Sequence, residues 1–250
     1  VTIQDVYEAI GTHAVGKMTG EELHQLESVA CPGAGACGGQ FTANTMSTAL
    51  EFLGISPAGL NGIPALVPAK QAAAEQSGRL VMDLLRRDVR PSHVITRDAL
   101  ENAIASVAAT GGSTNGVLHL LAIAYELGIP LTIDDFDRIA ARTPVVASLK
   151  PGGRFVATDV YEAGGVALVA RELVKRDLVH ADAHSVVLPH ALAFNAPALP
   201  LEMARLADAL GAHGEDPAGA LWDLAHRSQV PTRLADLNGS DGPLQREHLL

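Results

Sequence analysis

The chain has 250 residues, of which 48% are hydrophobic and 18% charged, a balance typical of globular proteins and not of disordered ones. Its net charge of −10, without a cluster of lysines or arginines, argues against nucleic acid as a partner. No apolar run reaches the roughly 18 residues of a membrane span. The first residues also lack a signal-peptide pattern, so we expect a cytoplasmic protein without membrane contact.

Helix signals dominate the chain in sequence order. Thr19-Gly-Glu-Glu22 is a capping-box pattern, and Thr96 and Thr132 precede apolar-periodic stretches in the same way. The predicted helices after the first one are Lys70 to Arg87, burying Ala73, Leu80, Leu84 and Leu85; Asp98 to Thr110; Ile133 to Ala141; and Gly165 to Asp177.

Strand signals are few. The candidates are residues 145–149 and residues 155–157, which contain the β-branched residues and the aromatic residue typical of strands. Two such strands cannot build a closed parallel sheet. We therefore predict a predominantly α-helical fold with few strands.

Both cysteines of the chain lie in a glycine-rich run of nine residues, Cys31-Pro-Gly-Ala-Gly-Ala-Cys37-Gly-Gly. Glycines permit close backbone approach, and Cys37 precedes a helix-like stretch from Gln40, whose N-terminus favours a thiolate. An iron–sulfur cluster fits this composition. The spacing of the two cysteines taken alone favours ordinary buried thiols instead.

A second polar loop, Gly111-Gly-Ser-Thr-Asn115, joins two apolar helical patterns. Its hydroxyls and amides are suited to an anionic ligand, although Ser113 or Asn115 could equally cap the helix that follows. His119 on that helix is interpreted as a core residue. Asp134, Asp135 and Asp137 are interpreted as partners of their helix dipole and not as metal ligands.

Three histidines, His180, His184 and His190, fall within eleven residues. A spacing of four on a helix would place the first two on one face, which is compatible with a metal site. The sequence contains no glycine-rich nucleotide-binding motif to accompany them. We give the metal interpretation of this cluster little weight.

Several ordered motifs resemble the dihydroxy-acid dehydratase and phosphogluconate dehydratase family. The first is the string from Cys31 to Met46, which contains the cysteine run followed by Gln-Phe-Thr-Ala-Asn-Thr-Met. The resemblance continues through residues 91–104, 111–124, 131–139 and 162–166. It covers residues 1–183, as an internal slice of a family member's α/β domain.

The resemblance implies a hydro-lyase that converts a 2,3-dihydroxy acid to a 2-keto acid and water in branched-chain amino-acid biosynthesis. A sugar-acid dehydratase is the nearest alternative. It implies an iron–sulfur cluster held by three cysteines, the last of which corresponds to Cys37, with Cys31 as a buried structural thiol. It also implies a magnesium ion and a small dihydroxy-acid substrate near Ser113, Thr114 and Asn115.

Two motifs of that family do not occur in this sequence: Cys-Asp-Lys-Ser/Thr, which supplies a cluster thiolate and a magnesium ligand, and Thr-Asp-Gly-Arg-Phe-Ser-Gly-Gly, which supplies the base. No catalytic residue is therefore assigned, and a chain with two cysteines is expected to be inactive alone. Because helices separated from their sheet expose apolar surface, self-association into a homo-oligomer is expected.

The character of the sequence changes near His180. Residues 184–237 resemble the C-terminal helical part of maleylacetate reductases and iron-containing alcohol dehydrogenases, and residues 238–250 match no pattern. These features suggest a fusion of two families. The rival to a dehydratase fragment is a non-catalytic helical interaction module, and a reductase governed by the tail is the weakest alternative.

Overall fold

A computed structural model describes residues 1–180 and the backbone of residues 238–239 and 242–243. The elements, in chain order, are α1 (Ile3–Ala14), α2 (Gly20–Val29), α3 (Thr42–Phe52), α4 (Ala69–Arg86), α5 (Pro91–Val94), α6 (Arg97–Ala109), α7 (Asn115–Glu126), α8 (Ile133–Arg142), α9 (Ala157–Ala163), α10 (Val166–Val174), β1 (Asn238–Gly239) and β2 (Gly242–Pro243). The two short strands pair antiparallel. The predicted helix-rich character is confirmed for the described residues. None of the helices among them is both long and apolar enough to span a membrane.

Helix α6 is the centre of the main core. Eight of its 13 residues are buried, and it packs against α3, α7, α8 and α10. Leu100, Ala103 and Ala105 are fully enclosed. The alanines allow the neighbouring helices to approach α6 closely, which is why one helix can be surrounded on several sides.

The predicted helix starts are confirmed. The Thr19 hydroxyl accepts a hydrogen bond from the N–H of Glu22, and the Thr96 hydroxyl accepts one from the N–H of Ala99. Thr132 begins α8 in a capping box with Asp135. These contacts involve residues three positions apart, so the local sequence is sufficient to specify them.

The prediction for α4 is correct in its bounds to one residue, but only one of its four predicted buried residues is buried. Ala73 is buried, and Leu80 and Leu84 are half-buried, whereas Leu85 is 71% exposed. Ala73 joins Leu60 and Ile63 in a small second cluster. Only the N-terminal half of α4 is anchored in this way, because no other described segment packs over the side that carries Leu85.

Neither predicted strand forms. Residues 145–149 contribute a single parallel bridge, from Leu149 to Phe155, and Ala157 is the first residue of α9. The N–H groups of Val146 and Ala147 both donate to the carbonyl oxygen of Ala109, at 2.7 and 3.0 Å. These backbone N–H groups therefore find their hydrogen-bond acceptor at the C-terminal end of α6 and not in a sheet.

Candidate functional site

The cysteine loop, residues 31–41, connects α2 to α3. Gly33 and Gly35 have φ angles of +91° and +103°, and a Cβ on them would lie 2.9 Å from Leu66 Cδ1 and 2.8 Å from Ala65 Cβ, respectively. Both the backbone conformation and the close approach require glycine. The first half of the loop is therefore packed against residues 65–66.

The second half of the loop is held by the side chain of Asn44, in the first turn of α3. Its Nδ2 donates to the carbonyl oxygens of Cys37 and Gly39, each at 2.7 Å. The N–H of Ala157 donates to the carbonyl oxygen of Gly38, also at 2.7 Å. The backbone at Cys37 is thus held by α3 on one side and by the first residue of α9 on the other.

The two cysteines have different surroundings. Cys37 is half-buried, whereas Cys31 is exposed, so the predicted burial of Cys31 is wrong. Cys31 lies directly beyond α2, which buries none of its residues, and has a φ of +49°. Its position at the end of a surface helix explains its exposure. Cys37 lies in the loop ahead of α3, which begins at Thr42.

Buried polar side chains connect the cysteine loop to the loop that contains Ser113. The Oγ1 of Thr45, which is fully buried, accepts from the N–H of Ser113 at 2.9 Å and donates to the carbonyl oxygen of Gln40. Gln40 Nε2 donates to Thr110 Oγ1 at 3.0 Å. The structure therefore brings the cysteine loop and the 110–115 loop to the same end of α3.

The three residues predicted to bind substrate, Ser113, Thr114 and Asn115, differ in burial and in hydrogen bonding. Asn115, the first residue of α7, donates from Nδ2 to Thr42 Oγ1 at 2.6 Å, which again joins the two loops. Ser113 is half-buried, and its Oγ accepts from the N–H of Asn115 at 3.2 Å. Thr114 and Asn115 are exposed. Ser113 thus satisfies a free amide of the first turn of α7, as the capping interpretation expects.

Glu51 is a buried carboxyl that sequence reasoning missed. It is 7% exposed, and its two oxygens accept from the N–H groups of Gly59 and Asn61 at 2.8 and 3.0 Å. Burial raises the pKa of Glu51 to about 7, although these backbone donors and Lys70 oppose the rise. The sequence feature that indicates a buried carboxyl here is the single charged residue in the apolar run Ala-Leu-Glu-Phe-Leu.

Glu51 acts on the cysteine loop indirectly. The carboxyl holds residues 59–61, and Lys70 Nζ donates to the carbonyl oxygens of Leu60 and Asn61 at 3.4 and 3.2 Å. The same segment continues to Ala65 and Leu66, against which the cysteine loop packs. Glu51 therefore supports the wall of the site from the interior.

One of the three acidic residues of α8 forms ion pairs. Asp135 bonds to Arg97 and Arg138 as well as to Thr132, and the Arg97 guanidinium, as the main cause, holds the pKa of Asp135 well below its usual range. Asp134 and Asp137 are exposed. The interpretation of this acidic group as helix-terminus partners is confirmed for Asp135.

The histidines do not assemble a metal site within the described residues. His180 Nε2 lies 3.2 Å from Glu101 Oε2, and its backbone exchanges hydrogen bonds with the fully buried Asn102 at 2.7 and 3.0 Å. His119 is half-buried, less enclosed than predicted. His184 and His190 lie outside the described residues.

The side chains present do not form a complete ligand set for an iron–sulfur cluster. The whole sequence has two cysteines, and the exposed Cys31 and half-buried Cys37 differ in environment. Among residues 1–180, no group of three or more His, Cys, Asp or Glu side chains is arranged to hold a metal ion. Protein-bound clusters are ordinarily held by about four ligands, so Cys37 could supply only one of them.

Comparison with known proteins identifies relatives of this sequence. Residues 1–191 match the family described as "Dihydroxy-acid/6-phosphogluconate dehydratase N-terminal". Over 186 residues the chain is 64% identical to a dihydroxy-acid dehydratase of Koribacter versatilis, covering 74% of this chain and 32% of that protein. Over 179 residues it is 52% identical to a dihydroxy-acid dehydratase of Thermus thermophilus, covering 72% of this chain and 32% of the relative.

The matched region thus spans about a third of the length of these relatives. The family match covers more than half of this chain and includes both the cysteine loop and the 110–115 loop. The chain therefore belongs to the dihydroxy-acid and 6-phosphogluconate dehydratase family, through that family's N-terminal domain.

Proposed function

We propose that this chain is part of a hydro-lyase of the dihydroxy-acid dehydratase type, which converts a 2,3-dihydroxy acid to a 2-keto acid and water. The observation that carries the proposal is the 64% identity to the Koribacter versatilis dihydroxy-acid dehydratase over 186 residues. The family match over residues 1–191 includes the side chains that fix Cys37 and the 110–115 loop. A branched-chain biosynthetic substrate is favoured because the matched relatives are named dihydroxy-acid dehydratases.

Cys37 is proposed as one thiolate ligand of an iron–sulfur cluster, because Asn44 holds the carbonyl oxygens of Cys37 and Gly39 and so fixes the backbone at this position. Exposed Thr114 and Asn115 are proposed to contact the substrate, with Ser113 ordering the turn beneath them. The remaining cluster ligands, the magnesium ligands and the base would come from segments that are not in this sequence. On this proposal the 250-residue chain alone holds no stoichiometric cluster and is inactive.

A chimera tests the proposed role of Cys37. Residues 1–191 of this chain, the part that matches the family, would replace the matching segment of the Koribacter versatilis enzyme, and iron, sulfide and the visible spectrum would be measured anaerobically. We expect the chimera to bind a cluster, Cys37→Ala to abolish it, and Cys31→Ala to retain it. A chimera that keeps its cluster without Cys37 would contradict the assignment.

The same chimera distinguishes the substrate classes. We expect turnover of a branched 2,3-dihydroxy acid and little turnover of 6-phosphogluconate. The reverse preference would favour the sugar-acid alternative, which the family description also includes.

Iron and sulfide analysis of the unmodified 250-residue chain after cluster reconstitution tests the proposed inactivity. The proposal predicts far less than one cluster per chain and no dehydratase activity. Stoichiometric iron that is lost in Cys37→Ala would contradict it, because the site would then be completed within this chain or between its copies.

The part of the chain beyond the family match, which ends at residue 191, is proposed to be of separate origin, because residues 184–237 resemble the helical end of iron-containing alcohol dehydrogenases. A continuous sequencing read across the codons for residues 170–200 would support a natural fusion. Failure to recover that read would show that the join is an assembly artefact. In a natural fusion without activity, the function that remains is a helical interaction module.

A further inference from the structure

The carbonyl oxygens of three consecutive residues in the cysteine loop, Cys37, Gly38 and Gly39, are all hydrogen-bonded within the protein. Asn44 Nδ2 donates to those of Cys37 and Gly39, each at 2.7 Å. The N–H of Ala157 donates to that of Gly38, also at 2.7 Å. All three oxygens are therefore held by residues of α3 and α9, which fixes the orientation of the peptide groups between them.

The N–H groups of Gly38 and Gly39 have no such partner. No acceptor among residues 1–180 lies within hydrogen-bond distance of either, whereas the next N–H group, that of Gln40, donates to the carbonyl oxygen of Lys150 at 2.7 Å. Gly39 is buried and Gly38 is half-buried. More than about 90% of buried backbone N–H groups in proteins are hydrogen-bonded. Two enclosed and unbonded N–H groups on consecutive residues therefore indicate a ligand that accepts from both.

Both positions require glycine. A Cβ at Gly38 would lie 3.1 Å from Val156 Cβ, and one at Gly39 would lie 2.7 Å from Phe41 Cε2. The two residues thus offer a ligand only their backbone donors. Successive backbone N–H groups suit an anionic acceptor, because hydrogen bonds to a charged oxygen are stronger than those to a neutral one.

The two free donors lie at the end of α3 that also carries the residues proposed to contact the substrate. Thr42, three residues beyond Gly39, accepts from Asn115 Nδ2 at 2.6 Å. The first turn of α3 contains no acidic residue, so no carboxylate of that turn competes for the donors. The site therefore lies between the cysteine loop and the 110–115 loop and is free to receive an anion.

We propose that the N–H groups of Gly38 and Gly39 bind the carboxylate of the 2,3-dihydroxy acid. The assignment rests on the proposed function, and it leaves Thr114 and Asn115 for the hydroxyl groups of the substrate. Each carboxylate oxygen can accept from one of the two N–H groups. Asn44 is a positioning residue, because its bonds to the neighbouring carbonyl oxygens keep both N–H groups available.

Amide NMR spectra of the full chain test the proposal. Added 2,3-dihydroxy-3-methylbutanoate should shift the amide resonances of Gly38 and Gly39 saturably, with a dissociation constant of about 1–10 mM for two charge-assisted hydrogen bonds. The neutral primary amide of the same acid is the control ligand, because it keeps the hydroxyl and alkyl groups without the charge. It should bind at least about tenfold more weakly.

Asn44→Leu removes both side-chain donors without changing the net charge, and we expect it to weaken binding of the acid at least about tenfold. Asn61→Leu is the matched control. Asn61 Nδ2 also donates to a backbone carbonyl oxygen, that of Ser47 at 3.1 Å, but lies outside the cysteine loop. This variant should keep the wild-type dissociation constant within about twofold. Circular dichroism would verify that both variants remain helical.

Two results on the wild-type chain would overturn the proposal. Resonances of Gly38 and Gly39 that stay unshifted at about ten times the expected dissociation constant would show that these N–H groups bond to water. Equal shifts with the acid and its neutral amide would show that the carboxylate is not the group recognised. Either result would leave the proposed function standing, because the chimera tests cluster binding and turnover separately.

Discussion

Helices α6 and α4 differ in burial much more than their sequences suggest. Helix α6 has 13 residues and buries eight, whereas α4 has 18 residues and buries two. Both contain leucine and alanine at helical spacing. The difference is that α6 contacts helices on several sides, whereas α4 is anchored only near its N-terminal end. Apolar periodicity therefore identifies a helix without showing whether its apolar side is covered within the chain.

The largest expected effect compares one leucine from each helix. Leu100→Ala on α6 removes a fully buried side chain and should lower the free energy of unfolding by about 2–5 kcal/mol, through lost burial and a residual cavity. Leu85→Ala on α4, where the leucine is 71% exposed, should change it by less than about 0.5 kcal/mol. Urea denaturation at low protein concentration measures both. Equal losses would contradict the contrast between the helices.

The carboxyl of Glu51 holds the segment that runs from the end of α3 to the start of α4. Its pKa is raised to about 7 in the folded protein, so the folded state binds the proton more tightly than the unfolded state. The contribution of this carboxyl to stability is therefore fully present below its usual pKa of about 4.3 and is lost as pH rises to about 7. The loss should reach roughly 3 kcal/mol.

Glu51→Gln tests this dependence, because it removes the proton equilibrium while keeping an acceptor for the backbone donors. The difference in unfolding free energy between wild type and variant should change with pH between about 4 and 7 and be flat above about 8. Exposed Glu126→Gln is the control and should show no such change. A difference that is independent of pH would rule out this role for Glu51.

The contact between the cysteine loop and the loop after α6 depends on Thr45. Thr45→Val keeps the shape of the side chain but leaves the N–H of Ser113 without its acceptor, which should cost about 1–3 kcal/mol. Thr48→Val is the matched variant, since within residues 1–180 the Thr48 hydroxyl bonds only to the carbonyl oxygen of Asn44 in its own helix. Thermal unfolding should show the larger loss for Thr45→Val, and equal losses would contradict the proposed link.

The smallest effect concerns glycine-to-alanine changes in the two regions. Gly78→Ala on α4 has open space around its Cβ and should stabilise the protein by about 1 kcal/mol through helix propensity. The same change at Gly112, after α6, would place a Cβ 3.0 Å from Thr45 Cγ2 and Val107 Cγ1 and should destabilise the protein. Urea midpoints measure both effects, and a stabilised Gly112→Ala would show that this region is loosely packed.

Local features of the fold could be predicted from the sequence. The caps at Thr19, Thr96 and Thr132 depend on residues three positions apart. The fate of residues 145–149 could not be predicted in this way, because their N–H groups bond to Ala109, which is distant in sequence. The exposure of Leu85 has the same cause, since it depends on which elements pack over α4.

The candidate site, like the fold, could be predicted from the sequence only in its local features. Cys37 and the 110–115 loop were identified from motifs, but the side chains that join them were not assigned roles. Gln40 and Thr45 are 2% and 0% exposed, and their partners, Thr110 and Ser113, are far along the chain. Thr45 lies in the first turn of α3 and Gln40 just before that helix, where polar residues are ordinarily caps or surface residues, so only the packing of α3 against α6 shows their role.

Amide hydrogen exchange of the full chain tests the contrast between α6 and α4 most directly. We predict that the amides of α6 exchange only through global unfolding, whereas those of the C-terminal half of α4 exchange far faster. Equal protection of α6 and α4 would contradict the account.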